Sequence, residues 1–261
     1  MVTATAQFLY SPDHCKILHL VRHGQGMHNV AAEKSVEALL SPKLFDAPIS
    51  THGWQQVANL RKHVFASGML KRIELVITSP QSRAMQTAVG VFSCESHMYE
   101  YGLDTCTPPV MVANDHRNAT PALNCPPILA FEKCRDRMGV RLSDKRRSVS
   151  EYQSLFPTID FSLMECEEDD LWNPDVRESL EEISARMVEF MQWLWTRPEK
   201  EIVIVSHGVV LQHLLYVLEI DTHPSVKIQL TERFGNCELR SVVVVNKSMM
   251  DSDSSTTSFC G

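Results

Sequence analysis

The sequence predicts an α/β fold, a three-layer sandwich in which helices cover both faces of a mostly parallel central sheet. Two observations carry this expectation. Short runs rich in branched apolar side chains alternate with longer segments of helical periodicity, the pattern of strand–helix units. The runs are apolar at nearly every position rather than at every second one, as strands buried on both faces must be.

The first run is Ile17-Leu18-His19-Leu20-Val21, and Thr51 to Phe65 reads as a helix after it. The second, Ile73-Glu74-Leu75-Val76-Ile77, ends in Thr78-Ser79-Pro80 and leads to a helix over Ser82 to Phe92. From 102 to 127 the pattern lapses. Pro108, Pro109, Pro121, Pro126 and Pro127 interrupt it, so this stretch reads as an irregular insertion lying over the sheet as a lid. Ser179 and Glu182 form a capping box, after which Leu180, Ile183, Met187, Phe190, Met191 and Leu194 recur at helical spacing up to Trp195. The third run, Ile202-Val203-Ile204-Val205, ends in Ser206-His207-Gly208, and Val209 to Leu218 reads as a buried helix. Val242 to Val245 is a late strand, and the Ser/Thr-rich tail 251–261 reads as disordered. Residues 1–250 are enough for one domain with a sizeable core.

Composition narrows the function classes. Apolar residues make up 44% and charged residues 22% of the 261, the balance of a globular protein. The net charge of -7 argues against a nucleic-acid partner. No apolar run approaches the roughly 20 residues of a membrane helix, and residues 1–16 lack the basic-then-apolar order of an export signal, so a cytoplasmic location is expected. The eight cysteines are scattered without Cys-x-x-Cys spacing. They read as reduced thiols, and neither a metal site nor a cofactor is expected.

All three strong strands deliver polar residues just past their C-terminal ends, where ligands of open α/β sheets bind. The first gives Arg22 and His23, the second leads through Ser79 to Arg83, and the third gives His207. A neutral imidazole is a competent nucleophile toward phosphorus. The transferring phosphoryl group must be clamped by fixed positive charge, and arginine binds its oxygens bidentately. Gly24 and Gly208 leave room for a phosphate against the backbone, and the helix after Gly208 would aim its amides at the anion. Lys145-Arg146-Arg147 reads as a solvated loop, with Arg146 or Arg147 at the pocket rim as the alternative. The run Glu165 to Asp170 reads as a solvated loop.

Taken in order, Val21-Arg22-His23-Gly24, Thr78-Ser79-Pro80-Gln81-Ser82-Arg83-Ala84-Met85-Gln86-Thr87-Ala88 and Val205-Ser206-His207-Gly208 resemble the three motifs of the histidine phosphatase superfamily, the phosphoglycerate mutase-like proteins. Asp46 to Gln56 resembles the family segment entering the first helix. The resemblance implies a phosphoglycerate mutase-like fold, with His23 as the phosphorylated nucleophile. It also implies that Arg22, Arg83 and His207 complete the phosphate pocket and that Asn29 and Gln25 line its mouth. The family further needs a carboxylic acid to protonate the leaving oxygen. The segment Phe131 to Gly139 resembles the plant members, which carry Glu where Asp136 stands here. Two candidates therefore remain, Asp136 and Glu132, with Asp136 preferred.

The expected function is a phosphatase hydrolysing a small-molecule phosphate ester or terminal phosphate through a phosphohistidine. True mutases carry Glu-Ser after Arg-His-Gly, and this chain has Gln25-Gly26. A mutase, or a catalytically weakened phosphate-binding regulatory protein, is the alternative. Sugar phosphates, glycerate phosphates, nucleotides and isoprenoid diphosphates stay open as substrates, as do a monomer and a homodimer.

Overall fold

A computed structural model describes residues 14–93, 125–218 and 224–246. Six strands form one sheet: β1 (Cys15–Arg22), β2 (Leu75–Thr78), β3 (Ile128–Ala130), β4 (Ile159–Asp160), β5 (Glu201–Ser206) and β6 (Leu239–Val245). Their order across the sheet is β4-β3-β2-β5-β1-β6. Every pairing is parallel except that of β6, which runs antiparallel to β1. The helices are α1 (Met27–Lys34), α2 (Thr51–Ala66), α3 (Ser82–Phe92), α4 (Val149–Leu155), α5 (Leu180–Thr196), α6 (Gly208–Val217) and α7 (Pro224–Thr231).

The three-layer expectation is met by the side-chain alternation of the buried strands. Val76, Val203 and Val205 join one core with Val57, Leu60 and Val64 of α2 and Ala84, Met85, Ala88 and Val91 of α3. Their neighbours Leu75, Ile77, Ile202 and Ile204 join the other, against Ile183, Met187, Phe190 and Leu194 of α5 and Val210, Leu211 and Leu214 of α6. Successive residues of a strand point to opposite faces, so strands with no polar face fill two cores at once. The Ser179–Glu182 capping box is present at the start of α5.

The sequence pattern did not show α1, α4, β3 and β4. The two strands are three and two residues long, too short for any period, and α1 has no buried residue. The expected insertion lies outside the described residues except for 125–127, which lead straight into β3, and the tail 251–261 lies outside them too. Cys15, Cys134, Cys166 and Cys237 are free thiols. Cys125 is disulfide-bonded, against the expectation of reduced thiols throughout. Among the described residues no helix is long and apolar enough to cross a membrane.

Candidate active site

Strand register alone assembles most of the site. Arg22 of β1 stands opposite Ser206 of β5, and the His23 amide donates to the Ser206 carbonyl at 3.0 Å. The next residues, His23 and His207, therefore leave the sheet side by side, their ring centroids 5.0 Å apart. On the far side of β5, Thr78 stands opposite Val205. Ser79 thus emerges beside His207, and its hydroxyl meets His207 Nε2 at 2.8 Å. Arg83 follows in the first turn of α3 and is fully buried. Past β3, Ser206 Oγ donates to the Cys134 carbonyl at 2.7 Å, fixing the loop that carries Asp136 against the end of β5.

His23 Nδ1 lies 2.6 Å from the Gly24 carbonyl oxygen. A carbonyl can only accept, so Nδ1 holds the proton and the Nε2 lone pair is free. Burial, reinforced by the charges of Arg83 and Arg22, pushes the imidazole down to about 3. His23 is therefore neutral at physiological pH, the state a nucleophile requires.

Positive charge converges on it. Arg22 Nη1 donates to the Phe234 carbonyl at 2.7 Å. Arg83 Nη1 donates to the Ser143 carbonyl at 2.7 Å; its Nη2 reaches Asp136 at 2.9 Å, Asp144 at 3.2 Å and Gln81 Oε1 at 3.2 Å. Nε of both arginines is buried without a hydrogen-bond partner, as are His28 Nδ1 and His207 Nδ1. Among the described residues, four of the five such atoms thus belong to this one site. Buried polar atoms are rarely left unsatisfied, and a cluster of them marks a place built for a polar ligand. The adjoining cavity, about 320 Å³, is lined by Arg22, His23, His28, Asn29, Asp136 and Gly208, among others.

The structure separates the two acid candidates by position. Asp136 Oδ2 lies between Arg83 at 2.9 Å and His207 Nδ1 at 3.3 Å, facing the cavity. Burial would raise its carboxyl, but His207 first and Arg83 next, with His28 and His23 behind them, hold it well below the usual carboxylate range. Glu132 is turned away and accepts from Arg135 at 3.2 Å and Arg146 Nε at 2.6 Å. A single 3-10 turn over Glu132–Cys134 gives way to extended backbone at Arg135, so the two acids do not share a helical face.

Other expectations need correcting. Gln25 does not line the cavity: its side chain accepts from Ser50 Oγ at 2.7 Å and donates to Glu33 at 3.3 Å. Asn29 does line it. The space at Gly24 is taken by α2, since a Cβ there would come 2.9 Å from the Gly53 carbonyl. The acidic run is a solvated loop, exposed at Glu165, Cys166, Glu167, Glu168 and Asp170, except that the Asp169 side chain turns inward. The basic run is neither a solvated loop nor part of the cavity lining at Arg146 and Arg147. Arg146 is buried, donating to the carbonyls of Arg147, Cys166, Glu167 and Glu168. Arg147 pairs with buried Asp46 at 3.0 Å, and Asp169 holds Arg135 bidentately at 2.6 Å on both oxygens. His28, missed in the sequence, sits with its ring centroid 5.4 Å from that of His23. Its only signal was its place just after the first motif. Among the described residues no cluster of three or more His, Cys, Asp or Glu side chains could hold a metal ion.

The family model of the histidine phosphatase superfamily (branch 1) matches residues 159–248. "Phosphoglycerate mutase-like protein 1" of Arabidopsis thaliana is 51% identical over 264 residues, covering 100% of this chain and 92% of that one. Among solved structures, the ecdysone phosphate phosphatase of Bombix mori in complex with tungstate superposes with a TM-score of 0.53 at 15% identity, over 87% of this chain and 88% of that one. The alpha-ribazole phosphatase of Shigella flexneri gives 0.51 at 17% identity, over 88% and 94%. At such identities these structures speak for the fold alone.

Proposed function

The chain belongs to the histidine phosphatase superfamily, and we propose that within it this protein is a phosphatase acting on a small-molecule phosphate ester or terminal phosphate through a phosphohistidine. The observation that carries the reading is the His23 tautomer: Nδ1–H is committed to Gly24, and Nε2 is unprotonated beside two arginines with unsatisfied Nε atoms. The cavity volume suits a small molecule, not a nucleic-acid strand.

In the proposed reaction His23 Nε2 attacks phosphorus and the ester P–O bond breaks. Asp136 gives its proton to the leaving oxygen. Water then attacks the phosphohistidine, with the Asp136 carboxylate taking a proton from it, and inorganic phosphate leaves. Arg22, Arg83 and His207 hold the equatorial oxygens, where negative charge accumulates. Asp136 is ionised in the free protein because His207 and Arg83 are next to it. A bound phosphate dianion competes for Arg83 and sets like charge beside Asp136, and both effects raise the carboxyl toward protonation. The proton reaches Asp136 from the substrate monoanion or from solvent.

The test is His23→Ala on a broad phosphate-ester panel, read as free phosphate released and phosphoenzyme trapped in acid quench. Loss of both is expected, and full activity in the variant would sink the mechanism. Turnover only with added 2,3-bisphosphoglycerate, without net phosphate release, would replace hydrolysis by mutase chemistry. Tungstate binding with no turnover on any ester would leave a regulatory phosphate-binding protein.

A further inference from the structure

His28 and Ala32 of α1, four residues apart and so on one helical face, both line the cavity. α1 has no buried residue, so core packing gives the helix no other reason to hold this face where it is. Neither nitrogen of the His28 ring is satisfied. Nδ1 is buried without a partner, and Nε2 makes no hydrogen bond with a described residue. A histidine that serves the fold looks different: buried His19 of β1 has Ser241 Oγ at 2.7 Å from Nδ1 and Glu201 at 3.0 Å from Nε2. A neutral imidazole carries one N–H, and a buried N–H needs an acceptor. Position 26 shows which nitrogen that is. Gly26 has extended backbone, φ -89 and ψ 161, which any residue adopts. What a side chain there would lack is space, since a Cβ would come 2.6 Å from His28 Nδ1 and 2.7 Å from its Cε1. The Nδ1–Cε1 edge of the ring therefore rests on Gly26, and Nε2 is the nitrogen left to the cavity, in a ring 5.4 Å from that of His23.

Resting on the phosphoryl-transfer reading of this pocket, we infer that His28 is a further residue that binds the transferring phosphoryl group, its Nε2–H donating to an oxygen of the group held at His23, and that Gly26 is the seat that sets the ring in place. Gly26 and His28 act as a pair, because the imidazole fills the volume that a side chain at position 26 would take. Burial first, then the charge on Arg83, keeps the ring neutral in the free protein, so His28 meets the anion as a hydrogen-bond donor and not as a fixed cation.

Calorimetric titration with tungstate, a stand-in for the phosphoryl group, reads this contact without turnover. His28→Phe keeps a ring and removes both nitrogens, and it should weaken tungstate binding about tenfold or more, the worth of one charge-assisted hydrogen bond. His28→Gln retains a donor and should keep most of the affinity, which a space-filling role would not predict. Gly26→Ala should cost a similar factor, but little once residue 28 is already alanine, because both substitutions act through the same ring. Wild-type affinity in His28→Phe, or a Gly26→Ala loss of equal size in the wild-type and His28→Ala backgrounds, would overturn the inference. If His28→Phe does not fold, His28→Gln against His28→Ala carries the same comparison, and equal affinity in those two overturns it. Turnover of p-nitrophenyl phosphate by the wild-type protein tests hydrolysis separately. No turnover with a His28-dependent tungstate affinity would refute the phosphatase reading and leave the role of His28 standing; turnover with an affinity indifferent to His28 would do the reverse.

Discussion

Asp136→Asn removes the proposed proton donor while keeping the size of the side chain. A general acid contributes roughly 10²- to 10⁴-fold in rate, on the order of 3–5 kcal/mol of barrier. That loss falls in full on an ester such as ethyl phosphate, whose alkoxide cannot leave unprotonated. On p-nitrophenyl phosphate, whose phenolate is stable, it should shrink to about tenfold or less. A second consequence follows from charge. Asp136 Oδ2 sits 2.9 Å from Arg83 and 3.3 Å from His207, so neutralising it leaves Arg83 with Asp144 at 3.2 Å as its carboxylate partner. The pocket gains one net positive charge, and phosphate should bind more tightly. The variant is therefore expected to show lower kcat together with lower KM, with the kcat loss far larger for the alkyl ester. Steady-state phosphate release on both esters measures this. Equal kcat losses on the two would refute the role, and so would an equally large alkyl-specific loss in Glu132→Gln.

Two further perturbations test the frame around the site. His23 is held at about 3 against an ordinary 6.5, so the unfolded chain takes up this proton first and folding stability is lost as pH falls below the ordinary value. Between pH 7.5 and 5.5 His23 alone should remove about 1.4 kcal/mol, and His207 and His28, shifted the same way, add to it; urea unfolding across that range checks the loss, and an unchanged midpoint contradicts it. Gly139 has φ +88, and a Cβ there would lie 1.9 Å from the Val176 carbonyl, whereas Gly68, at φ +68, has nothing within 4 Å. Gly68→Ala should cost only the left-handed penalty of about 1–2 kcal/mol. Gly139→Ala should cost clearly more in urea unfolding and also lower turnover, because the loop carrying Arg137 and Arg141 must move; similar costs at the two glycines would show that the Val176 contact yields freely.

What could be read in the sequence was whatever a strand end encodes locally. His23, Arg83 and His207 each follow an apolar run, and parallel pairing turns that linear position into adjacency, so the motifs predicted neighbours without any knowledge of the loops. The acid had no such anchor. Asp136 lies past β3, a strand of three residues, in a stretch whose shape is set by distant charges. Arg135 is clamped by Asp169 across 34 residues, Arg146 is tied to Glu132, and Arg186 donates to the carbonyls of Lys133 and Arg135 at 2.8 Å each. Lys145-Arg146-Arg147, and Asp169 within the exposed stretch 165–170, look like solvated surface because hydrophobic periodicity is blind to ion pairing, and a charge can be buried when its partner is buried with it. Asp169 and Arg146 are buried in this way, and together they hold the turn that faces Asp136 toward the cavity and Glu132 away from it. The choice between the two acids was thus written in the residues that a pattern reading sets aside as surface.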